Sequence, residues 1–168
     1  PQFADRIRYL VLNPYWEVPP SLAVEDKLPL IRRDPGYLER EHIRVLRGWG
    51  ETPAQIDPAS VDWNRLGSAL PYRLRQDPGP WNALGRVKFM FPNAHNVYLH
   101  DTPARALFAQ AERSFSSGCV RLQNAPALAE WIGRPRLNGG WIAEGDARVR
   151  IKTFRHFVGG PHFCRLDA

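Results

Sequence analysis

The chain has little cysteine. Cys119 and Cys164 are the only two in 168 residues, too few for a disulfide framework. That composition fits a reduced compartment, or an extracytoplasmic protein that uses one thiol for chemistry. There is no apolar run near the roughly 20 residues that a bilayer-spanning helix needs. No signal-peptide pattern opens the chain; Pro1-Gln2-Phe3-Ala4-Asp5 reads like the middle of a protein. No internal repeat and no low-complexity tract interrupts it. Lysine is scarce beside arginine, and acid is short beside base: 23 Lys and Arg stand against 17 Asp and Glu. A basic balance favours polyanions or acidic substrates, among them nucleic acid, acidic cell-wall polymers and carboxylate-rich peptides. The arginines are scattered rather than gathered on one helix or tail, which counts against nucleic acid.

What is present is an ordinary globular composition, 43% hydrophobic and 24% charged, in a length that suits one domain. Arg8–Leu12 reads as a strand stopped by Asn13-Pro14. Pro19-Pro20-Ser21 reads as a helix entrance with Ser21 as N-cap. Asp34-Pro35-Gly36 is a turn, followed by a short helix over Tyr37–His42 and a strand over Ile43–Leu46. Residues 51–60 read as loop, and Val61–Leu66 as a helical turn. Tyr72–Gln76, Val87–Phe91 and Asn96–His100 alternate as strands do, the last two joined by a hairpin loop at Pro92–His95. Thr102-Pro103 opens a helix, Asn124 caps another that has Pro126 in its first turn, and Val149–Lys152 reads as a final strand. Many short strands with a few helices give a mainly β or α+β fold.

The stretch from Tyr98 to Leu122 carries the chemistry. His100 ends a predicted strand. Cys119 lies on a turn after Ser116-Ser117-Gly118, just before another predicted strand. A thiol needs a base to become a nucleophile near neutral pH, and a neighbouring imidazole can take its proton. Backbone N–H groups around Gly118 and Cys119 are placed for an oxyanion, and Arg121 for a carboxylate. Each feature also has a plain structural reading. Cys119 can be a core residue, His100 a surface group at a strand end, and Ser-Ser-Gly only a turn.

Tyr98-Leu99-His100-Asp101-Thr102-Pro103, followed by Ser116-Ser117-Gly118-Cys119-Val120-Arg121, resembles the active-site signature of the L,D-transpeptidases, the YkuD-domain family. Further stretches are similar to the large Gram-negative periplasmic branch that carries a capping insertion. These are Asn13–Pro20, Asp34–Leu38, Val61–Trp63 and, the most extended, Gln76–Phe89. The resemblance runs from about Phe3 to about Lys152. It implies a YkuD-type β-sandwich catalytic core over residues 1–20 and 73–152, a helical and loop insertion over 21–72, and an unmatched tail over 153–168. The family's domain has strands before the first residue here and an apolar Pro-containing strand after Lys152. Neither finds a match, so the core is expected to be incomplete at both ends and the tail to be irregular.

The resemblance also implies roles. Cys119 is the nucleophile and His100 the general base, with the backbone carbonyl of Asp101 orienting the imidazole and Gly118 in the catalytic turn. Tyr98, Ser117 and Arg121 match positions near the donor stem. The implied partners are peptidoglycan stem peptides, a tetrapeptide donor and a diaminopimelate acceptor. β-Lactams of the carbapenem class are implied covalent ligands. The implied place is the periplasm, compatible with membrane anchoring of a full-length protein. No cofactor and no metal is expected; His156, His162 and Cys164 in the tail fit no familiar zinc spacing. Three rival readings differ by class. One is a Cys–His hydrolase, such as an L,D-carboxypeptidase, that passes the acyl group to water. Another is a cell-wall-binding module without catalysis. Nucleic-acid binding is the most distant.

Overall fold

The computed structural model describes residues 4–5, 7–50, 52–112, 119–133, 142–143 and 157–158. In chain order its strands are β1 (Ala4–Asp5), β2 (Tyr9–Leu12), β3 (Trp16–Glu17), β4 (Ile43–Arg47), β5 (Ala54–Ile56), β6 (Arg73–Gln76), β7 (Val87–Met90), β8 (Leu99–His100), β9 (Val120–Arg121), β10 (Ile142–Ala143) and β11 (Phe157–Val158). They form a five-stranded sheet in the order β10-β2-β7-β8-β9, a four-stranded sheet in the order β3-β6-β4-β5, and a two-stranded β1-β11 ladder. With few helices beside them, this is the mainly-β, α+β architecture expected.

The chain divides into two compact units. Residues 1–14 and 84–168 make the first, and residues 15–83 the second. The expected insertion, 21–72, falls inside the second unit, which also takes in 15–20 and 73–83.

In the first unit, β2 and β7 are antiparallel, with Leu10 opposite Phe89 and Leu12 opposite Val87. β7 and β8 are antiparallel, while β8 and β9 are parallel, with Leu99 opposite Val120. Period-2 alternation puts Leu10, Val87, Phe89, Leu99 and Leu122 on one face. The helix Ala125–Gly133 packs there through Ala125, Leu128, Ala129 and Ile132. Those four are spaced i, i+3, i+4, i+7, one stripe of a helix. Asn124 Oδ1 accepts from the Ala127 N–H at 3.2 Å and caps the helix. Ile132 is fully buried, and burying a side chain of its size stabilises by about 1.5–3 kcal/mol.

The second unit has its own core of Val18, Ala23, Ile31, Leu38, Ile43, Val45 and Leu74. It is richer in strand than expected, because residues 51–60, read as loop, contain β5 and a 3-10 turn over Pro58–Ser60. Its helical run also departs from expectation. It starts at Pro20, with Pro19 rather than Ser21 at the cap position. It then widens into a π turn over Ala23–Lys27 before the α-helix Leu28–Arg33. Pro29 is the physical reason: it has no N–H to donate, and its ring crowds the carbonyl one turn earlier.

The Gln76–Leu84 stretch owes its residues to a buried polar network. Gln76 is 2% exposed and Asn82 fully buried. Gln76 Nε2 donates to the Glu41 carbonyl at 2.9 Å, and its Oε1 accepts from the Ala83 N–H at 2.9 Å. Asn82 Nδ2 donates to the Asp77 carbonyl at 2.9 Å. These amides satisfy backbone groups of a turn that has no ladder partner.

In the tail, expected to be irregular, Phe157–Val158 pairs antiparallel with Ala4–Asp5. The predicted strand Val149–Lys152 and the tail residues His156, His162 and Cys164 lie outside the described residues.

Candidate active site

The five-stranded sheet has a second face, opposite the helix. Lys88 stands opposite His100, and His100 opposite Arg121. Since Leu99 and Val120 point into the core, alternation puts Lys88, His100 and Arg121 on the other face. Tyr98 and Cys119, each one residue outside its strand, continue the same alternation. The Val120 N–H to Tyr98 carbonyl bond, 3.2 Å, ties these positions together. The structure therefore brings Tyr98, His100, Cys119 and Arg121 to one end of one sheet face. Ser117 and Gly118 lie outside the described residues.

β8 is shorter than the strand expected over Asn96–His100. Asn93 is the cause. Its Oδ1 accepts from the His95 and Val97 N–H groups, both at 3.0 Å, and its Nδ2 donates to the Phe91 and Val97 carbonyls at 3.0 and 2.7 Å. One side chain thus does the work of a ladder. Asn96 takes up a left-handed conformation, φ 53°.

The Cys119 thiol donates to the Asn96 carbonyl at 3.9 Å. The Tyr98 hydroxyl is hydrogen-bonded to the Cys119 side chain. Burial, and then the Cys119 charge and that hydrogen bond, push the Tyr98 hydroxyl's pKa up, so it stays a donor. The Tyr98 ring sits 5.8 Å from the His100 ring, and Lys88 Nζ lies 4.1 Å from the Tyr98 ring centroid.

His100 is 6% exposed. Its Nδ1 lies 2.5 Å from the Asp101 carbonyl oxygen. A carbonyl can only accept, so Nδ1 carries the proton and Nε2 keeps its lone pair. Burial pushes the imidazole's pKa down to about 4; Arg121 and Lys88 add to the fall, and the Asp101 carbonyl and carboxylate oppose it. The ring is neutral at pH 7 and can accept a proton at Nε2.

This shift has a consequence for stability. The unfolded chain's imidazole binds a proton near pH 6.5, the folded one only near 4. Stability is whole above pH 6.5 and is lost as pH falls toward 4, by about 3 kcal/mol from this group. Urea unfolding between pH 7 and 4 should show His100→Gln losing less stability over that window than wild type.

The Asp101 carboxylate, 2% exposed, does not face solvent. Its Oδ2 accepts from the Arg86 N–H at 3.0 Å and its Oδ1 from Arg105 Nη2 at 2.8 Å. It closes over Gly85, whose φ is +61° and where an added Cβ would lie 2.5 Å from Asp101 Oδ2. Only glycine satisfies both the left-handed backbone and that approach. Gly85→Ala should cost about 2 kcal/mol or more, measured by denaturant unfolding, and should displace the Asp101 carboxylate.

The predicted helix after Thr102-Pro103 is a 3-10 turn, Arg105–Ala109. The sequence reading missed Lys88, Asn96 and Arg105. Lys88 had a signal: it is the polar position between inward Val87 and Phe89. Arg105 had another, the i, i+4 spacing from Asp101. The Asn96 contact is made by backbone and had none.

A thiol, a tautomer-fixed imidazole, a hydroxyl donor and two cations thus share one sheet face. The model of the L,D-transpeptidase catalytic domain, YkuD, matches residues 1–151, and the chain belongs to that family. It is 40% identical over 141 residues to a Haemophilus influenzae protein described as "Putative L,D-transpeptidase". The match covers 84% of this chain and 27% of that protein, so the chain spans about a quarter of its curated relative. No helix among the described residues is long and apolar enough to cross a membrane.

Proposed function

We propose that the chain is the catalytic part of a peptidoglycan L,D-transpeptidase that joins two meso-diaminopimelate residues. The observation that carries this is the His100 tautomer, its bare Nε2 on the sheet face that bears Cys119. In this reading His100 Nε2 takes the Cys119 proton. The thiolate attacks the carbonyl of the third residue of a tetrapeptide stem. The tetrahedral intermediate collapses to a thioester as the terminal D-alanine leaves, its amine taking the proton back from His100. The side-chain amine of a second stem's diaminopimelate, deprotonated by His100, then attacks the thioester. The C–S bond breaks, and the thiol recovers its proton. Ser117 and Arg121 contact the donor stem, as Tyr98 does from beside the thiol. Gly118, next to the nucleophile in sequence, contributes its N–H to binding the oxyanion.

Residues 21–72 serve as the capping insertion, whose arginines suit stem-peptide carboxylates. The reaction belongs in the periplasm, where its polymer is. The test is product analysis with a tetrapeptide donor, with and without an acceptor bearing a free diaminopimelate amine. The expected product with acceptor is the cross-linked dimer. Tripeptide alone, at any acceptor concentration, would assign the chain to the Cys–His hydrolases instead.

A further inference from the structure

We propose that the Asp101 carboxylate and Arg105 are a positioning pair that sets the His100 imidazole and the Cys119 strand relative to each other. The inference rests on the reading of His100 as the base.

The residue that holds the imidazole is itself held from three sides. The Asp101 N–H donates to the Val87 carbonyl at 2.9 Å. Its carboxylate takes the Arg86 N–H on one oxygen and the Arg105 guanidinium on the other. A peptide unit fixed at its amide and at its side chain leaves its carbonyl little freedom, and that carbonyl is the Nδ1 acceptor. The pair therefore acts on the tautomer without touching the ring's reactive nitrogen.

Arg105 has a second attachment. Its Nη1 donates to the Gln123 carbonyl at 2.7 Å. Gln123 follows β9, the strand that begins next to Cys119. One guanidinium thus bridges the chain leaving His100 and the chain leaving Cys119. The β8–β9 ladder is only two residues long on each side, and short parallel pairing is a weak hold on register. The planar fork, with its donors in fixed directions, ties both strand exits at once. Asp101 is the partner that makes this tie rigid, because its buried charge needs the guanidinium.

The test uses the full chain in six variants: Asp101→Asn, Arg105→Ala, the two combined, Arg105→Lys, His100→Gln and Ile132→Val. Asp101→Asn keeps the shape and the acceptor for Arg86. Arg105 is half exposed, so its replacement is compatible with folding even if Asp101→Asn is not. Ile132→Val, in the core against the helix, shows what destabilisation alone does. Two readouts are taken at pH 7: the iodoacetamide rate at Cys119, and the imidazole nitrogen spectrum of His100, assigned by its loss in His100→Gln. Asp101→Asn and Arg105→Ala should each slow alkylation about tenfold, and the two together should slow it little more, since they act as a unit. Arg105→Lys should fall between. Both Asp101→Asn and Arg105→Ala should convert a pure Nδ1–H signal into a mixture, which Ile132→Val should not do. If His100→Gln is slow while the folded pair variants react within twofold of wild type and keep the pure Nδ1–H signal, the positioning pair is wrong and the base stands. If His100→Gln reacts like wild type, the base reading fails and this inference falls with it.

Discussion

Cys119→Ala protein should gain no mass from a carbapenem or from a tetrapeptide donor, where wild type should gain one equivalent on the peptide containing Cys119. This is the largest effect expected, because an alanine has no atom that can bond to the carbonyl. Turnover should fall by at least about 10³-fold, to whatever binding and oxyanion contacts alone provide. A strained β-lactam carbonyl presents the same electrophile to the thiolate as the stem amide does. Its ring opening keeps the leaving group attached, so the adduct persists long enough to weigh. Intact mass and peptide mapping read the outcome. An adduct on Cys164, or one that survives in Cys119→Ala, would remove Cys119 from the reaction.

His100→Gln should slow alkylation of Cys119 by about 10²-fold at pH 7, within the usual reach of a positioned base. Glutamine retains hydrogen bonding but cannot take up a proton. The difference should narrow above about pH 8.5, where an ordinary thiol ionises unaided. At the acid end the lowered His100 pKa sets the profile. Burial keeps the ring neutral down to about pH 4, so its capacity as a base persists below the pH 6.5 of an ordinary histidine and fades as pH falls through 4. A pH series of iodoacetamide rates on both proteins, with folding followed by circular dichroism, gives the answer. Equal rates across the series would make His100 a packing residue.

The elements legible in the sequence are those whose pattern is complete within a few residues. β7 alternates Val87, Lys88, Phe89 without interruption. The helix Ala125–Gly133 shows its cap, its proline and its apolar stripe in order. For His100 and Cys119 the strand-end placement left a base–nucleophile pair and a plain structural reading both open, and the family signature decided between them. Features built by side chain onto distant backbone were not legible. Asn93 replaces part of a strand, Gln76 and Asn82 stitch a turn, and Arg105 reaches Gln123 eighteen positions away. A periodicity argument sees residue types on a line, and none of these contacts repeats along it. The π turn before Pro29 had a visible cause, yet a proline in a helical pattern marks a kink without specifying its form.

The β2–β7 pairing has a consequence for the order in which the molecule assembles. Leu12 lies opposite Val87, and the Asn13 N–H reaches the Arg86 carbonyl, yet about 70 residues separate these partners. Closing a loop of that length from an open chain costs on the order of 4 kcal/mol of entropy before any contact rewards it. The intervening unit supplies the closure. Its own β3 and β6 are neighbours, Trp16 opposite Gln76 and Glu17 opposite Arg75, so once it has formed, its two ends emerge about one strand spacing apart. What was a long loop becomes, for β2 and β7, the equivalent of a tight turn. The second unit is therefore expected to form before β2 and β7 pair, and the cysteine site, which needs that pairing, to appear after it. Weakening the second core with Val45→Ala should therefore slow recovery of Cys119 reactivity during refolding. Ile132→Val, in a region that condenses later, should mainly hasten unfolding.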